Sequence, residues 1–460
     1  MRILGLVALL AIVSACNLET QPKPEPPRNL TGVIGAASYE IDVASGWNGT
    51  LFLYSHGYVG TGRANPAQSI PGPARTWLLD HHFASAASAY ASTGWAVDDA
   101  LRDQMALLDF FTQKVGKPKR VITWGHSMGG LITAGLVQLH PERFAAAMPL
   151  CGVLSGSIAT WNSELDSAYA FKTLLAPTSE LELTHITIAQ TNWQLAQQIY
   201  VAAQSTPQGE ARLALVAALS DIPGWFNPSE AEPAPTDYTA RARAQAAWES
   251  NAGFAFAFAA RQELEQRAGG NPSWNQGVDY KQLLSESPDA AEVVALYAAA
   301  GLDLQADLAR LNGGTRIKAD PAAAAYLDRN ISFDGNLVVP TLSVHTTGDG
   351  LVVPPNESAY AQTVGAAGKQ DMLRQVFVHR AGHCTFTNAE TVAALQALLM
   401  RVDTGRWDDA ALQPDALNRA ARGQGASASQ FFGLRFDPSF VTFRPASFPR
   451  PFPKGATIPL

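Results

Sequence analysis

The stretch that most constrains this chain is residues 125–130, with the sequence GHSMGG, which contains a G-x-S-x-G pattern. A short apolar run, residues 121–124, precedes it, and a helix-like run, residues 131–139, follows it. This context predicts a strand that turns tightly into a helix, with Ser127 on the turn. Such a turn strains the serine backbone, and side chains larger than glycine beside it would clash with the strand and the helix. The hydroxyl would lie at a helix N-terminus, where backbone N–H groups favour developing negative charge.

Strand-like and helix-like patterns alternate around this motif. We expect strands at residues 39–43, 51–54 and 94–97, and helices at residues 76–90 and 99–115. Alternation at this spacing predicts the α/β class, with a mostly parallel sheet that carries helices on both faces.

The alternation stops after residue 156 and resumes at residue 337. The intervening residues 157–336 are rich in Ala and Leu, are helical in pattern, carry several tryptophans, and are too many for a loop. We therefore predict a large helical cap inserted between two halves of the core, residues 31–156 and 337–405. The tail, residues 406–460, is expected to wrap apolar surface because phenylalanines recur in it at irregular spacing. These are Phe431, Phe432, Phe436, Phe440 and Phe443.

The N-terminus has the pattern of an export signal. Arg2 precedes an apolar run, residues 3–13, that ends in Val-Ser-Ala-Cys at Cys16. Residues 1–16 therefore predict a lipoprotein signal peptide with Cys16 as the acylated residue, although an ordinary secretion signal with a coincidental cysteine would look similar. Residues 17–30, rich in Pro, Glu and Gln, predict a flexible tether. We expect a bacterial cell-envelope protein that contacts a membrane through its lipid anchor alone.

Charge and residue spacing argue against several classes of partner. The net charge is −7, and the longest basic run is the short stretch at residues 117–120, so nucleic-acid binding has little electrostatic support. The histidines and cysteines do not have the spacing of a metal site, and we expect neither a metal nor another cofactor.

A serine nucleophile needs a base that takes its proton and an acid that orients the base. Asp349 follows a buried strand pattern, and His383 follows the pattern of a later strand. Both positions lie at the carboxyl ends of parallel strands, where such sheets bind ligands. The rival acid Asp334 precedes its strand, and the rival base His379 lies within a strand. We therefore predict a triad of Ser127, Asp349 and His383.

The negative charge that develops on a substrate carbonyl needs two backbone N–H donors. We expect one from Met128, which follows the serine, and one from Tyr58, in the loop after the strand at residues 51–54. His56 and Gly57 would shape that loop, and an ordinary glycine turn is the alternative. His126 is expected to face away from the site as a packing residue.

These motifs together resemble secreted bacterial α/β hydrolases of the esterase/lipase type, some of which are grouped as prolyl-oligopeptidase-like. The resemblance rests on the His-Gly loop, Gly-His-Ser-Met-Gly-Gly, Leu-Cys-Gly, Thr-Thr-Gly-Asp-Gly and Ala-Gly-His-Cys, and covers residues 31–156 and 337–405. It implies the α/β-hydrolase fold, the same three catalytic residues and the same two N–H donors. It does not extend to the cap or the tail.

Cys151 and Cys384 remain once Cys16 is set aside. In an exported protein two such cysteines suggest one disulfide, and two buried thiols are the alternative. A bridge would hold the loop that carries His383.

The leading functional hypothesis is a serine hydrolase that cleaves carboxylic esters, of a small-molecule or lipid-like kind, through an acyl-enzyme. A serine peptidase or aminopeptidase is the alternative, and it would need carboxylates for the substrate amine. Candidates for that set are Glu180 and Glu182, or Glu263 and Glu265, which would otherwise be solvated helix positions. A non-catalytic surface lipoprotein is a third reading, disfavoured because serine, aspartate and histidine are all present.

Overall fold

The computed structural model describes residues 26–65, 67, 72–431 and 433–459. The predicted lipidation site Cys16, most of the predicted tether, and Phe432 lie outside the described residues. The strands are β1 (Arg28–Ile34), β2 (Ala37–Val43), β3 (Thr50–Ser55), β4 (Ala84–Ser88), β5 (Arg120–His126), β6 (Ala146–Leu150), β7 (Thr341–Gly348), β8 (Leu373–Ala381), β9 (Gln430–Phe431), β10 (Leu434–Arg435) and β11 (Phe440–Val441). The core helices are α1 (Gly72–Asp80), α2 (Val97–Lys114) and α3 (Met128–Leu139).

The remaining helices follow β6. They are α4 (Ser157–Leu175), α5 (Ala189–Gln204), α6 (Pro207–Ala218), α7 (Tyr238–Trp248), α8 (Arg261–Ala268), α9 (Tyr280–Glu286), α10 (Ala290–Ala299), α11 (Leu304–Gly313), α12 (Pro321–Arg329), α13 (Pro355–Ala366), α14 (Asn388–Thr404) and α15 (Pro414–Arg422). Two π-helical segments, Glu249–Gly253 and Phe256–Ala260, lie between α7 and α8. Among the described residues no helix is both long and apolar enough to cross a bilayer.

One sheet of nine strands organises the described residues, in the order β1-β2-β4-β3-β5-β6-β7-β8-β11. The strands from β4 to β8 in this order pair in parallel, and β1, β2 and β11 pair antiparallel at the two edges. The carboxyl ends of the parallel strands therefore share one edge of the sheet, and loops that follow different strands meet there.

Side chains of the central strands alternate between two apolar layers. In β3, Leu51 and Leu53 pack into one buried cluster, and Phe52 and Tyr54 pack into the cluster on the opposite face. Helices α2 and α3 cover the first layer, and α14 contributes to the second. Because strand side chains alternate with period two, a sheet covered on both faces is apolar throughout. The predicted α/β-hydrolase fold, with its mostly parallel sheet, is confirmed.

The segment between β3 and α2 differs from the prediction. A helix was expected over residues 76–90 and a strand over 94–97, but α1 ends at Asp80 and the strand is β4, Ala84–Ser88. Val97 starts α2 instead. The sequence ASAAS favours a helix by intrinsic preference, yet that preference is weak and burial in the middle of a sheet outweighs it. All five β4 residues are buried between β2 and β3.

The segment between β6 and β7 is helical. Its first helix begins at Ser157 and its last ends at Arg329, within the predicted cap at residues 157–336. It has its own buried cluster, in which the rings of Phe171, Phe254 and Phe258 pack against one another with centroids 4.5–5.6 Å apart. The cap therefore has an apolar core that does not depend on the sheet.

Both chain ends contribute more structure than the sequence suggested. Strand β1 begins at Arg28, inside the segment predicted as a flexible tether. In the tail, β11 adds an edge strand to β8. Further on, Phe452 packs on Trp274 of the cap, and Arg450 donates to Asp166 at 2.6 Å.

Candidate active site

The turn between β5 and α3 holds Ser127 in a strained conformation, with φ 60° and ψ −125°. The end of β5 and the start of α3 both pass so close to β3 that a Cβ atom on Gly125 or Gly129 would overlap the carbonyl oxygen of Ser55. Glycine is required at both positions because only a hydrogen fits there. The Ser127 N–H donates to Leu150 of β6 at 3.0 Å, which ties the turn to the next strand.

The structure brings the three predicted side chains together. His383 Nε2 lies 2.8 Å from Ser127 Oγ, and His383 Nδ1 lies 2.7 Å from Asp349 Oδ2. The other carboxylate oxygen of Asp349 accepts hydrogen bonds from the N–H groups of Leu351 and Val352, each at 3.0 Å. Asp349 is fully buried. A buried carboxylate with three donors is held in one orientation, and it fixes the imidazole in turn.

The rival residues lie elsewhere. Asp334 accepts the N–H of Asn336 at 2.8 Å and closes a turn before β7. His379 lies within β8, where its Nδ1 is 3.3 Å from the Thr347 hydroxyl and its side chain is half exposed. Neither residue contacts Ser127 in the described structure.

A second histidine, His345, lies beside Asp349, and no sequence motif pointed to it. His345 is fully buried in β7, with Nδ1 3.0 Å from Glu357 Oε1 and Nε2 3.7 Å from Asp349 Oδ2. Burial lowers the pKa of His345, but the hydrogen bond to Glu357 and the charges of Glu357 and Asp349 outweigh burial, so the pKa is raised overall. His345 therefore links the Glu357 carboxylate to the carboxylate of Asp349.

Cys151 and Cys384 form a disulfide between the residue after β6 and the residue after His383. Both cysteines have positive φ, 43° and 55°, so each lies in a tight turn. The Sγ of Cys384 is 3.4 Å from His383 Nε2. In the described part of the chain, these two cysteines and His383 are the one group with metal-ligand spacing. Bonded sulfurs are not thiolates, so this group does not suit a metal.

The two predicted N–H donors lie beside Ser127. Met128 begins α3, and Tyr58 lines the same cavity as Ser127. Within the described residues, neither backbone N–H donates a hydrogen bond to the protein, so both can serve a ligand. His56 holds the loop, because its Nδ1 is 2.7 Å from the Gly57 carbonyl and its ring stacks on Tyr90.

His126 is a partnered residue, as a packing role requires. Its Nδ1 lies 3.2 Å from the hydroxyl of Tyr54, and its ring lies near Trp124 and Phe386. Burial, with a smaller contribution from His383, lowers the pKa of His126 to about 4. It is therefore neutral near neutral pH.

The cavity at Ser127, called here the Ser127 cavity, is mainly apolar and aromatic. Its lining residues are Tyr58, Trp95, Ser127, Met128, Val153, Thr160, Trp161, Glu164, Phe256, Leu351 and Val352. The core provides one side, and α4 with the π-helical segment Phe256–Ala260 provides the other. Trp161 is the cap tryptophan that reaches this cavity.

The cap carboxylates that the sequence suggested as an amine-binding site accept backbone hydrogen bonds or are exposed. Glu182 accepts the N–H of Thr187 at 2.7 Å, Glu263 accepts the N–H of Trp95 at 2.8 Å, and Glu265 accepts the N–H of Ile186 at 3.1 Å. Glu180 is exposed. Among the described residues that line the Ser127 cavity, the one carboxyl is Glu164.

The matches to known proteins agree with this architecture. The family model described as alpha/beta hydrolase fold matches residues 50–388. The chain belongs to this family. An o-phthalyl amidase from Xanthobacter agilis is 29% identical over 432 residues, which is 86% of this chain and 91% of that protein.

Solved structures that match the chain at low identity include two esterases. An esterase from Aspergillus oryzae is 14% identical, with 83% of this chain and 80% of that chain covered and a TM-score of 0.42. Feruloyl esterase B from Aspergillus oryzae is 14% identical, with the same coverage and a TM-score of 0.37. The family match makes the protein an enzyme of the α/β-hydrolase superfamily.

Replacing both disulfide cysteines, Cys151→Ser with Cys384→Ser, is expected to lower the free energy of unfolding by about 2–5 kcal/mol. It should also lower kcat several-fold while changing KM less, because the loop that carries His383 loses its covalent link to Cys151. Urea unfolding and steady-state kinetics measure the two effects. Two free thiols in denatured, unreduced wild-type protein would contradict the bridge.

Glu164→Gln is expected to stabilise the protein at alkaline pH. Burial, partly opposed by the charge of Arg261, raises the pKa of Glu164 from 4.5 to about 7. The unfolded chain loses this proton near its ordinary pKa while the folded chain keeps it, so wild-type stability falls as pH rises from about 4.5 to 7. At about pH 8 the variant should be more stable by about 1–3 kcal/mol, and the gain should disappear below about pH 4.5.

Urea unfolding of wild type and variant at several pH values measures this gain. Glu286→Gln, at an exposed position of α9, is the matched control and should show no such trend. A gain from Glu164→Gln that is the same at every pH would contradict the prediction.

Proposed function

We propose that this protein is a serine hydrolase that cleaves carboxylic esters through an acyl-enzyme intermediate. The observation that carries the proposal is the continuous set of hydrogen bonds from Ser127 Oγ through His383 to buried Asp349, at 2.8 and 2.7 Å. These distances are already those of a nucleophile and its base.

The hydrogen-bond partners of His383 determine which of its ring nitrogens carries the proton. Asp349 accepts from His383 Nδ1–H, which leaves the lone pair of Nε2 facing the Ser127 hydroxyl. As Ser127 Oγ forms a bond to the ester carbonyl carbon, its proton moves to Nε2. The carbonyl electron pair moves onto oxygen, where the N–H groups of Met128 and Tyr58 stabilise it. The imidazolium that forms is stabilised by Asp349.

The intermediate then collapses. The bond between the carbonyl carbon and the alcohol oxygen breaks, and the alcohol leaves with the proton from Nε2. Water next attacks the acyl-enzyme and gives a proton to Nε2, and Ser127 takes that proton as the acid departs. The overall products are a carboxylic acid and an alcohol, and the enzyme is restored.

The acyl group is expected to be apolar. The Ser127 cavity offers Tyr58, Trp95, Trp161 and Phe256 as its aromatic wall. Tyr58 and Phe256 pack with ring centroids 4.9 Å apart, so the core and the cap meet at this wall. A mostly apolar pocket with a few convergent polar groups is the usual form of a small-molecule site.

Amide hydrolysis is the second candidate. It is favoured by the match to o-phthalyl amidase along 86% of this chain. The same residues would serve, with His383 giving its proton to the departing amine nitrogen. An aromatic acyl group on nitrogen is the form of substrate that the relative's name suggests for this chain.

Turnover of nitrophenyl esters of increasing acyl length, and of the corresponding anilides, tests the proposal. Ser127→Ala should lower kcat by about 10³-fold or more, and Asp349→Asn by about 10³- to 10⁴-fold, because the imidazole loses its orientation. Asp334→Asn and His379→Asn are the matched controls and should retain kcat. Faster cleavage of anilides than of esters would replace the leading function with the second candidate. Wild-type turnover by Ser127→Ala would contradict both.

We also propose that the protein is exported and anchored by a lipid on Cys16, a residue outside the described structure. The signal-like residues 1–16 support this, as does the disulfide, since disulfides persist in oxidising compartments. Cys16→Ser should move the protein from the membrane fraction to the soluble exported fraction. A variant that stays with the membrane would place the anchor elsewhere.

A further inference from the structure

One face of cap helix α4 is polar although it is buried against the core. Thr160, Ser163, Glu164 and Ser167 lie on this face at the spacing of successive helical turns, and all four line one cavity. Helix faces that pack inward are normally apolar. A polar face kept inside therefore points to a ligand with polar groups.

Glu249 completes this cavity from the opposite side. It begins the π-helical segment Glu249–Gly253 that follows α7, and it lines the same cavity as Glu164. Its side chain is 1% exposed, and neither carboxyl oxygen has a hydrogen-bond partner. Single π-helical turns within helices occur frequently at functional sites. A buried carboxyl without a partner is costly, so it too points to a ligand that carries hydrogen-bond donors.

We call the cavity between Glu164 and Glu249 the carboxyl pocket. It adjoins the Ser127 cavity, since five residues line both: Val153, Thr160, Glu164, Leu351 and Val352. Its volume is about 40 Å³, which exceeds the roughly 10–15 Å³ that one water needs. A polar group of a few heavy atoms, attached to an acyl chain in the Ser127 cavity, fits this space.

The other polar groups of the carboxyl pocket already have partners. Ser167 and Ser220 share a hydrogen bond at 2.6 Å, and Ser163 lies 3.3 Å from Ser220. Asn356 accepts from the Ser155 N–H and donates to the Val353 carbonyl. The carboxyl oxygens of Glu164 and Glu249 are therefore the polar atoms that a ligand would meet. No Lys or Arg is among the described residues that line the pocket.

We propose that the carboxyl pocket binds a protonated amino group carried by the acyl part of the substrate. This inference rests on the proposed serine-hydrolase function and adds a substrate class to it: esters or amides of acyl groups that end in a basic nitrogen. An ammonium has three donors and no acceptor, and it matches unpartnered carboxyl oxygens. An anionic group would meet two acidic side chains, and the described residues that line the pocket include no cation.

The electrostatics of the carboxyl pocket agree with this match. Burial raises the pKa of both glutamates, that of Glu164 to about 7 and that of Glu249 well above its usual range. A cation that enters the pocket favours the carboxylate forms and offsets the desolvation of the two acids.

Matched ester pairs test the inference. The flexible set consists of nitrophenyl 6-aminohexanoate as the amine, nitrophenyl heptanoate as the uncharged ester and mono-nitrophenyl adipate as the anion. The rigid set consists of nitrophenyl 4-(aminomethyl)benzoate as the amine, nitrophenyl 4-ethylbenzoate as the uncharged ester and mono-nitrophenyl terephthalate as the anion. In at least one set, wild type should prefer the amine over the uncharged ester in kcat/KM by about 10- to 100-fold. Glu249→Gln or Glu164→Gln should bring that ratio close to the ratio of the uncatalysed rates.

Glu286→Gln is the matched control, because it removes the same charge at an exposed position of α9 outside both cavities. It should keep the wild-type preference. Turnover of the uncharged esters by Glu249→Gln, whose residue does not line the Ser127 cavity, should stay near that of wild type, which shows that this variant is folded. No amine preference in either set, a preference for the anionic ester, or a preference that survives both pocket substitutions would overturn the inference.

The experiment separates this inference from the function on which it rests. If the uncharged esters are hydrolysed and the amines are not preferred, the carboxyl pocket alone is refuted. If no ester or amide is hydrolysed, the proposed function fails. Calorimetry that compares the binding of n-butylammonium with that of 1-butanol then tests whether the carboxyl pocket binds an ammonium group. Binding of the ammonium that depends on Glu249 would support it, and equal or absent binding would refute it.

Discussion

The hydrogen bond between Ser127 Oγ and His383 Nε2 joins two loops that are 256 residues apart in the chain. Much of the surrounding structure fixes the positions of these two loops relative to each other. The glycines of the β5–α3 turn let Ser127 approach the sheet edge, and the disulfide ties the His383 loop to the end of β6. Asp349 fixes the imidazole and is itself fixed by two backbone N–H groups, and the His345 imidazole lies 3.7 Å from it.

This arrangement depends on the parallel sheet. Strands β5, β6, β7 and β8 are neighbours, so the loops that follow them share one edge. Each of these loops supplies one element of the site: Ser127, Cys151, Asp349 and His383. Antiparallel pairing would send alternate loops to opposite edges and separate the groups.

Much of this core could be predicted from the sequence, because the relevant signals are local. The G-x-S-x-G turn needs only its flanking strand and helix, and Asp349 and His383 each follow a strand pattern. Strand β4 was missed because its alanines carry no strand signal of their own, and burial between two neighbours decides their conformation. His345 was missed because its role comes from Glu357, a residue twelve positions away on another element.

The cap was predictable as helical but not as a binding surface. Which glutamates face the substrate depends on how α4 and the π-helical turn at Glu249 pack over the core, and that is a long-range property. The four glutamates that the sequence offered as an amine site are exposed or accept hydrogen bonds from backbone N–H groups. The two that face the cavities, Glu164 and Glu249, lie in stretches of ordinary helical composition. Unpartnered acids at these buried positions lower the stability of the fold, and functional sites commonly carry such a cost in stability.

The most direct test of the central claim is covalent labelling with a fluorophosphonate, followed by intact-mass measurement and peptide mapping. The account predicts one adduct per chain, located on Ser127, because that hydroxyl is activated by His383. It also predicts that labelling slows strongly in a His383→Ala variant. Labelling of a different serine, or equal labelling rates with and without the imidazole, would contradict it.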